Sequence, residues 1–302
     1  MTVLDSPAPG RARGTGRPLI WQARAEVMKF RTTDTWWLFL TGVVVFTALA
    51  LWTNGVSQHF VLYPQLSTMS GGEKAQAIAQ AAQARTPAGR AAIATTMMTS
   101  GQFFGVLFAM LIGVLAVTSE FAHQTATATF LANPRRTTVI VAKLIVAGGF
   151  AALFWLVSTV IDAVVTPLYL HAQHISFPLT SWIVVRSVLL NLLAFVMWAI
   201  FGVGLGTLIP SQIVAVITGL ASYLVGYAVV EIIFHLIYYV YRHSWILGAP
   251  VIAPAVATRV MITPGRAFAH APPQWAGLAV MAGYAVAFGA IGIALTRRRD
   301  VT

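Results

Sequence analysis

Six stretches of this chain are apolar for long enough to cross a lipid bilayer, and that one feature excludes most folds open to 302 residues. A hydrocarbon core about 30 Å thick needs roughly 20 predominantly apolar residues per helix. The candidates are Trp36–Trp52, Gly101–Thr118, Thr138–Pro167, Trp182–Leu208, Gln212–Ile237 and Trp275–Thr296. Trp36, Trp37, Trp52, Trp182 and Trp275 stand at their ends, where an amphipathic ring prefers the interface. Charged residues make up 9% of the chain, against about 25% in a soluble domain. The sequence therefore predicts an all-α, polytopic membrane protein with one membrane domain over 36–302.

The distribution of charge argues against a nucleic-acid binder despite a net charge of +11. Such proteins gather Lys and Arg on a soluble face among polar or aromatic readers. Here twelve of the nineteen basic residues fall in three places: the segment Arg11 to Arg31, the group Arg135, Arg136 and Lys143, and Arg297, Arg298 and Arg299. Basic residues beside span ends mark the cytoplasmic side, so both termini are expected there, with an even number of spans. No Cys occurs, which excludes disulfides and thiolate chemistry. No secretory signal is visible before Trp36, so the first span is expected to remain in the mature protein.

Residues 1–17 are rich in Pro, Gly and Arg and are expected to form a disordered cytoplasmic tail. Over 18–35, Ile20, Ala23, Val27 and Phe30 fall on one helical stripe, with Arg24 and Arg31 at its edge and Glu26 and Lys29 elsewhere. This suits an amphipathic helix lying in the interface; the alternative is an extension of the first span.

An external segment, 54–100, separates the first two spans. Its Ser70, Gly71, Gly72 and Glu73 echo the signature of ABC-transporter ATPases, but no GxxxxGK[ST] phosphate loop exists in the chain. Ser70 and Glu73 instead have capping-box spacing, opening an Ala-rich helix. Around Pro210 a tight cytoplasmic turn joins spans four and five, and Gly202, Gly204 and Gly206 before it suit close helix packing. Segment 238–274 holds Pro250, Pro254, Pro264, Pro272 and Pro273 with apolar runs too short to span. Short re-entrant or surface-lying external helices are expected there, as a gate or as a cap.

Ionisable residues inside spans are costly and are functional candidates by default. They are Asp162, Arg186, Glu231 and His235. Asp162 and Arg186 could pair across neighbouring helices, or line a polar vestibule. Glu231 and His235, four apart, share a helix face. His171 and His174 lack a nearby carboxylate or Cys and make a weak metal site. No catalytic constellation stands out, so no enzyme, no cofactor and no metal are expected on this chain.

Between spans two and three, Ser119 to Lys143 carries Glu120, His123, a Thr series at Thr125, Thr127 and Thr129, then Pro134, Arg135, Arg136 and Lys143. This order of Glu, Thr-rich stretch, Pro with Arg, and Lys opening the next span resembles the ABC-2 type transporter permeases. The six spans, the interfacial helix, the turn at Pro210 and the broken segment before the last span fit the same family. The resemblance implies a coupling helix over 119–137, through which Glu120, His123, Thr125, Thr127, Pro134, Arg135 and Arg136 would engage a cytoplasmic ATP-binding subunit. It further implies a second permease subunit, as a homodimer, in a bacterial plasma membrane, with ATP and Mg held by the partner. The expected function is export of an amphipathic or lipophilic molecule. The alternative is an ion- or proton-coupled transporter using Asp162, Glu231 and His235.

Overall fold

The computed structural model describes residues 17–125, 136–176, 181–268 and 270–298. Among them it is wholly helical. The helices are α1 (Arg17–Thr32), α2 (Thr35–Leu62), α3 (Gly71–Ala84), α4 (Pro87–Met98), α5 (Gln102–Ala122), α6 (Arg136–Ala172), α7 (Trp182–Leu208), α8 (Gln212–Tyr241), α9 (Pro254–Ile262) and α10 (Gln274–Arg298). Short 3-10 segments cover Leu66–Thr68 and Ser244–Ile252.

Six helical segments are long and apolar enough to cross a membrane: α2, the α4–α5 pair, α6, α7, α8 and α10. This is the architecture of a multi-pass membrane protein. The extents differ from the apolar windows. α2 continues ten residues past Trp52 because its polar turns find partners: Asn54 Nδ2 donates to Ser100 Oγ at 2.9 Å, and Tyr169 Oη donates to the Gly55 carbonyl at 2.8 Å. Part of the external segment 54–100 is α4, which runs into α5 through a break at Thr99, Ser100 and Gly101. α6 passes through Pro167 without ending. Ser70 and Glu73 form the expected capping box at the start of α3, with the Ser70 N–H donating to Glu73 Oε2 at 2.8 Å.

α5 and α7 form the centre, and their contact depends on absent side chains. A Cβ on Gly113 would collide with the Ala199 carbonyl oxygen, and one on Gly202 with that of Met110. The two backbones therefore touch, as small residues allow in lipid where burial supplies little drive. Gly204 faces the other way and admits the Phe288 backbone of α10. Around this centre lie α2, α6, α8 and α10, each with large apolar side chains exposed outward, such as Val45, Leu156, Val225 and Val286. In a bilayer that face meets lipid.

Between α8 and α10 the chain folds inward. Ser244–Ile252 and α9 meet at 103°, and Pro254 starts α9 at a position where its missing N–H costs no helical bond. α9 is enclosed: Ala257 and Met261 belong to the main core, and Trp198 Nε1 of α7 donates to Thr258 Oγ1 at 2.9 Å.

Candidate functional site

The apolar stripe of α1 divides between two surroundings. Ile20 and Val27 are exposed, while Glu26 and Phe30, one turn apart, turn inward. Phe30 packs on Phe150 of α6, with ring centroids 5.0 Å apart. Glu26, at 1% exposure, meets the two charges that close the site. The reason is charge: a carboxylate buried against α6 requires a cation, and Lys143 stands on the enclosed face of that helix.

Four side chains from three helices form one cluster. Lys143 Nζ lies 2.8 Å from Glu26 Oε2 and 2.8 Å from Glu120 Oε1. It also donates to the Ala116 carbonyl at 2.7 Å. An ammonium has three donors, and all three are used. Lys29 Nζ lies 2.9 Å from Glu26 Oε1 and 2.5 Å from Glu120 Oε1. Two acids and two bases leave the cluster neutral. Lys143 and Glu26 are enclosed, Glu120 nearly so, and Lys29 is part-exposed at the edge.

The pKa directions follow from this balance. Burial by itself pushes the Glu26 carboxyl up, but the Lys143 ammonium and its hydrogen bond, with Lys29 behind them, outweigh burial and hold it below 4.5. For Lys29, burial opposes the charge, and the Glu120 and Glu26 carboxylates outweigh it, raising the ammonium above 10.5. Both groups are held charged through the neutral range.

A cavity of roughly 400 Å³ opens beside the cluster. Glu26, Lys29, Glu120 and Lys143 line it with His123 and Thr125 from the chain leaving α5. Glu120 thus faces into the fold and His123 and Thr125 reach the cavity. Arg136, at the first turn of α6, donates to the Thr296 carbonyl of α10 at 3.4 Å. Thr127, Pro134 and Arg135, with the body of the expected coupling helix, lie outside the described residues, as does most of the tail 1–17.

The intramembrane candidates do not assemble into one site. Asp162 is fully buried on α6, whereas Arg186 projects outward from α7, so the expected ion pair does not form. Helical geometry decides this: Ser187, the next residue, takes the inward position. Glu231 and His235 lie on α8, which packs mainly on α5 and on Ser244–Ile252 rather than on α6. Their side chains approach to 3.8 Å, and His235 Nδ1 stands 2.8 Å from the Glu231 carbonyl. His171 and His174 are exposed at the end of α6.

Sequence reasoning named Glu26 and Lys29 only as residues off the stripe and missed their role. The available signal was a Glu and a Lys three apart in an otherwise cationic segment, with a second Glu–Lys set, Glu120 and Lys143, flanking the polar stretch between the second and third apolar runs. No protein-family model matches the chain, and a search of curated proteins finds no match either.

Proposed function

We propose that this chain is the permease subunit of an ATP-binding-cassette exporter, moving an apolar or amphipathic molecule out of a bacterial cytoplasm with ATP hydrolysed on a separate subunit. The observation that carries this reading is the four-charge cluster. It fastens α1 to the end of α5 and the start of α6, the two helices between which residues 126–135 run. A partner pressing on that segment moves three helices as one body.

In this reading the end bearing α1 is cytoplasmic, as are both termini, and α1 lies in the membrane interface with Ile20 and Val27 toward lipid. Two copies form the pathway and each docks an ATP-binding subunit through 119–137. Ser244–Ile252 and α9 form a re-entrant hairpin that caps the outer end. ATP and Mg stay on the partner.

The test is reconstitution of the chain with the ATP-binding subunit that co-purifies with it. Arg135→Glu together with Arg136→Glu is expected to uncouple ATP hydrolysis from transport while the bundle stays folded. Hydrolysis of ATP by the chain alone, or purification with no ATPase subunit, overturns the proposal.

The second reading, an ion-coupled transporter, has one observation in its favour: Asp162 is buried without a cationic partner. It predicts transport on an ion gradient without ATP, abolished by Asp162→Asn. Against it, Glu231 and His235 stand on a helix that does not continue a path from Asp162.

A further inference from the structure

The enclosed stripe of α6 that opens with Lys143 reaches, about five turns later, a polar place of opposite character. Ser158, Asp162 and Thr166 follow one another at four-residue spacing on its buried face. Thr47 Oγ1 of α2 and the Ser158 side chain both abut Gly101, at the break between α4 and α5. The Asp162 carboxylate, one turn beyond Ser158, stands beside the Gly101 N–H and has no side-chain hydrogen-bond partner. Trp155 Nε1 donates to the Val188 carbonyl at 3.2 Å, which sets this part of α6 beside the α7 turn carrying Ser187 and Asn191.

Thr47, Asp162, Thr166, Ser187 and Asn191 are each at most 1% exposed. Apart from the Gly101 N–H beside Asp162, their side-chain oxygens have no partner, nor do the Asn191 amide nitrogen and Thr159 Oγ1. This departs from the rest of the molecule. The buried Thr95, Thr118 and Thr258 hydroxyls all donate to the carbonyl four residues back. Buried polar groups are paired as a rule, and an unpaired set calls for an explanation such as a bound ion or water.

The chemistry of the set selects among occupants. A proton on Asp162 adds a single donor and leaves the other side chains unpaired. Water satisfies hydroxyls but leaves a carboxylate charge in a low-dielectric interior, and a protonated Asp162 with water differs from a bound cation in giving no response to Na+ or K+. A divalent ion takes more carboxylate, and among the described residues no three Asp, Glu, His or Cys side chains stand together. One carboxylate with neutral hydroxyl and amide oxygens matches a single positive charge and hard-ligand preference. The turn at Thr99, Ser100 and Gly101 between α4 and α5 interrupts the regular helix beside these side chains.

We infer that the seam formed by Asp162, Thr47, Thr166, Ser187 and Asn191 is a binding site for an alkali-metal cation. Asp162 supplies the charge and the other four supply neutral oxygens. The site joins the α4–α5 break to α2, α6 and α7, so an ion there braces the outer half of the bundle. The inference is independent of what drives transport.

The experiment uses the full chain in detergent, with choline chloride replaced by NaCl or KCl at constant ionic strength. Na+ or K+ is expected to raise the Tm saturably, by about 2–4 °C at saturation, and radiolabelled Na+ or its K+ analogue Rb+ is expected to bind at one site per chain. Asp162→Asn removes both responses, and Thr47→Ala or Asn191→Ala moves the midpoint at least tenfold higher. The wild-type response needs no variant to fold. A wild-type Tm equal in choline, Na+ and K+, with no bound label, overturns the inference; so does an Asp162→Asn protein that keeps the response.

Discussion

Lys143 holds three acceptors at once, and its removal is the most disruptive single change at the cluster. Lys143→Met leaves Glu26 and Glu120 sharing Lys29 alone, and breaking a buried pair this way costs about 3–5 kcal/mol. Replacing both members of the most enclosed pair, Glu26→Leu with Lys143→Leu, leaves the neutral Lys29–Glu120 pair and is expected to cost less than either single change. Thermal unfolding in detergent, read as a double-mutant cycle, checks this. The same residues predict a pH profile. Glu26 is held below 4.5, so its contribution is complete above 4.5 and is lost as pH falls through the lower folded value. Lys29 is held above 10.5, so its contribution is complete below 10.5 and is lost as pH rises through the higher folded value. A fluorophore on Met28→Cys, an exposed position of α1, is expected to report an unchanged environment across neutral pH and release at both extremes. At this scale the sequence was read correctly for residue type and incorrectly for partner. Asp162 is buried as its place in a span implied, yet Arg186 was offered as its mate because spacing along a chain does not say which side of α7 faces α6.

Helix existence was legible because each span is a long apolar run, and the Ser70–Glu73 box shows that a local cap is equally legible. The ends were less so. α2 outlasts its apolar window through contacts with Ser100 and Tyr169, both more than forty residues away in sequence. The glycines of α7 were read as packing residues, and what they touch gives a sharp test. Gly202→Val forces a side chain against the Met110 carbonyl and separates α5 from α7, with a loss of about 1–3 kcal/mol as for other overpacked contacts. Gly149→Ala, where nothing lies within 4 Å, is expected to be neutral or slightly stabilising. Thermal unfolding of the two variants side by side checks the pair; equal stability would mean that α5 and α7 are not held at backbone contact. The α1 stripe divides for a related reason, with Phe30 packed on protein and Ile20 and Val27 exposed. A helix at a membrane surface has two apolar surroundings, lipid and protein, and hydrophobic periodicity does not distinguish them.

For the molecule as a whole, the spans place α1 and α3 at opposite ends of the bundle, and the absence of Cys makes this directly measurable. Arg24→Cys and Gln76→Cys, both exposed, are expected to react with a membrane-impermeant maleimide from opposite sides of sealed vesicles. Labelling of both from one side would remove the proposed topology and with it the coupling role of 119–137. The sequence by itself determined that the chain is a helical membrane protein with six long apolar segments, because lipid demands length and apolarity and both are one-dimensional properties. It also marked the charges inside the long apolar runs as costly, though not Glu26 and Lys29 outside them. Only the tertiary structure decided how those charges are used. Glu26, Lys29, Glu120 and Lys143 neutralise one another across three helices, while Asp162 is buried beside the Gly101 N–H with no cation paired to it among the described residues. Charges separated by up to 117 residues meet only when helices pack, and a side chain's rotation about its helix is set by the neighbour it finds.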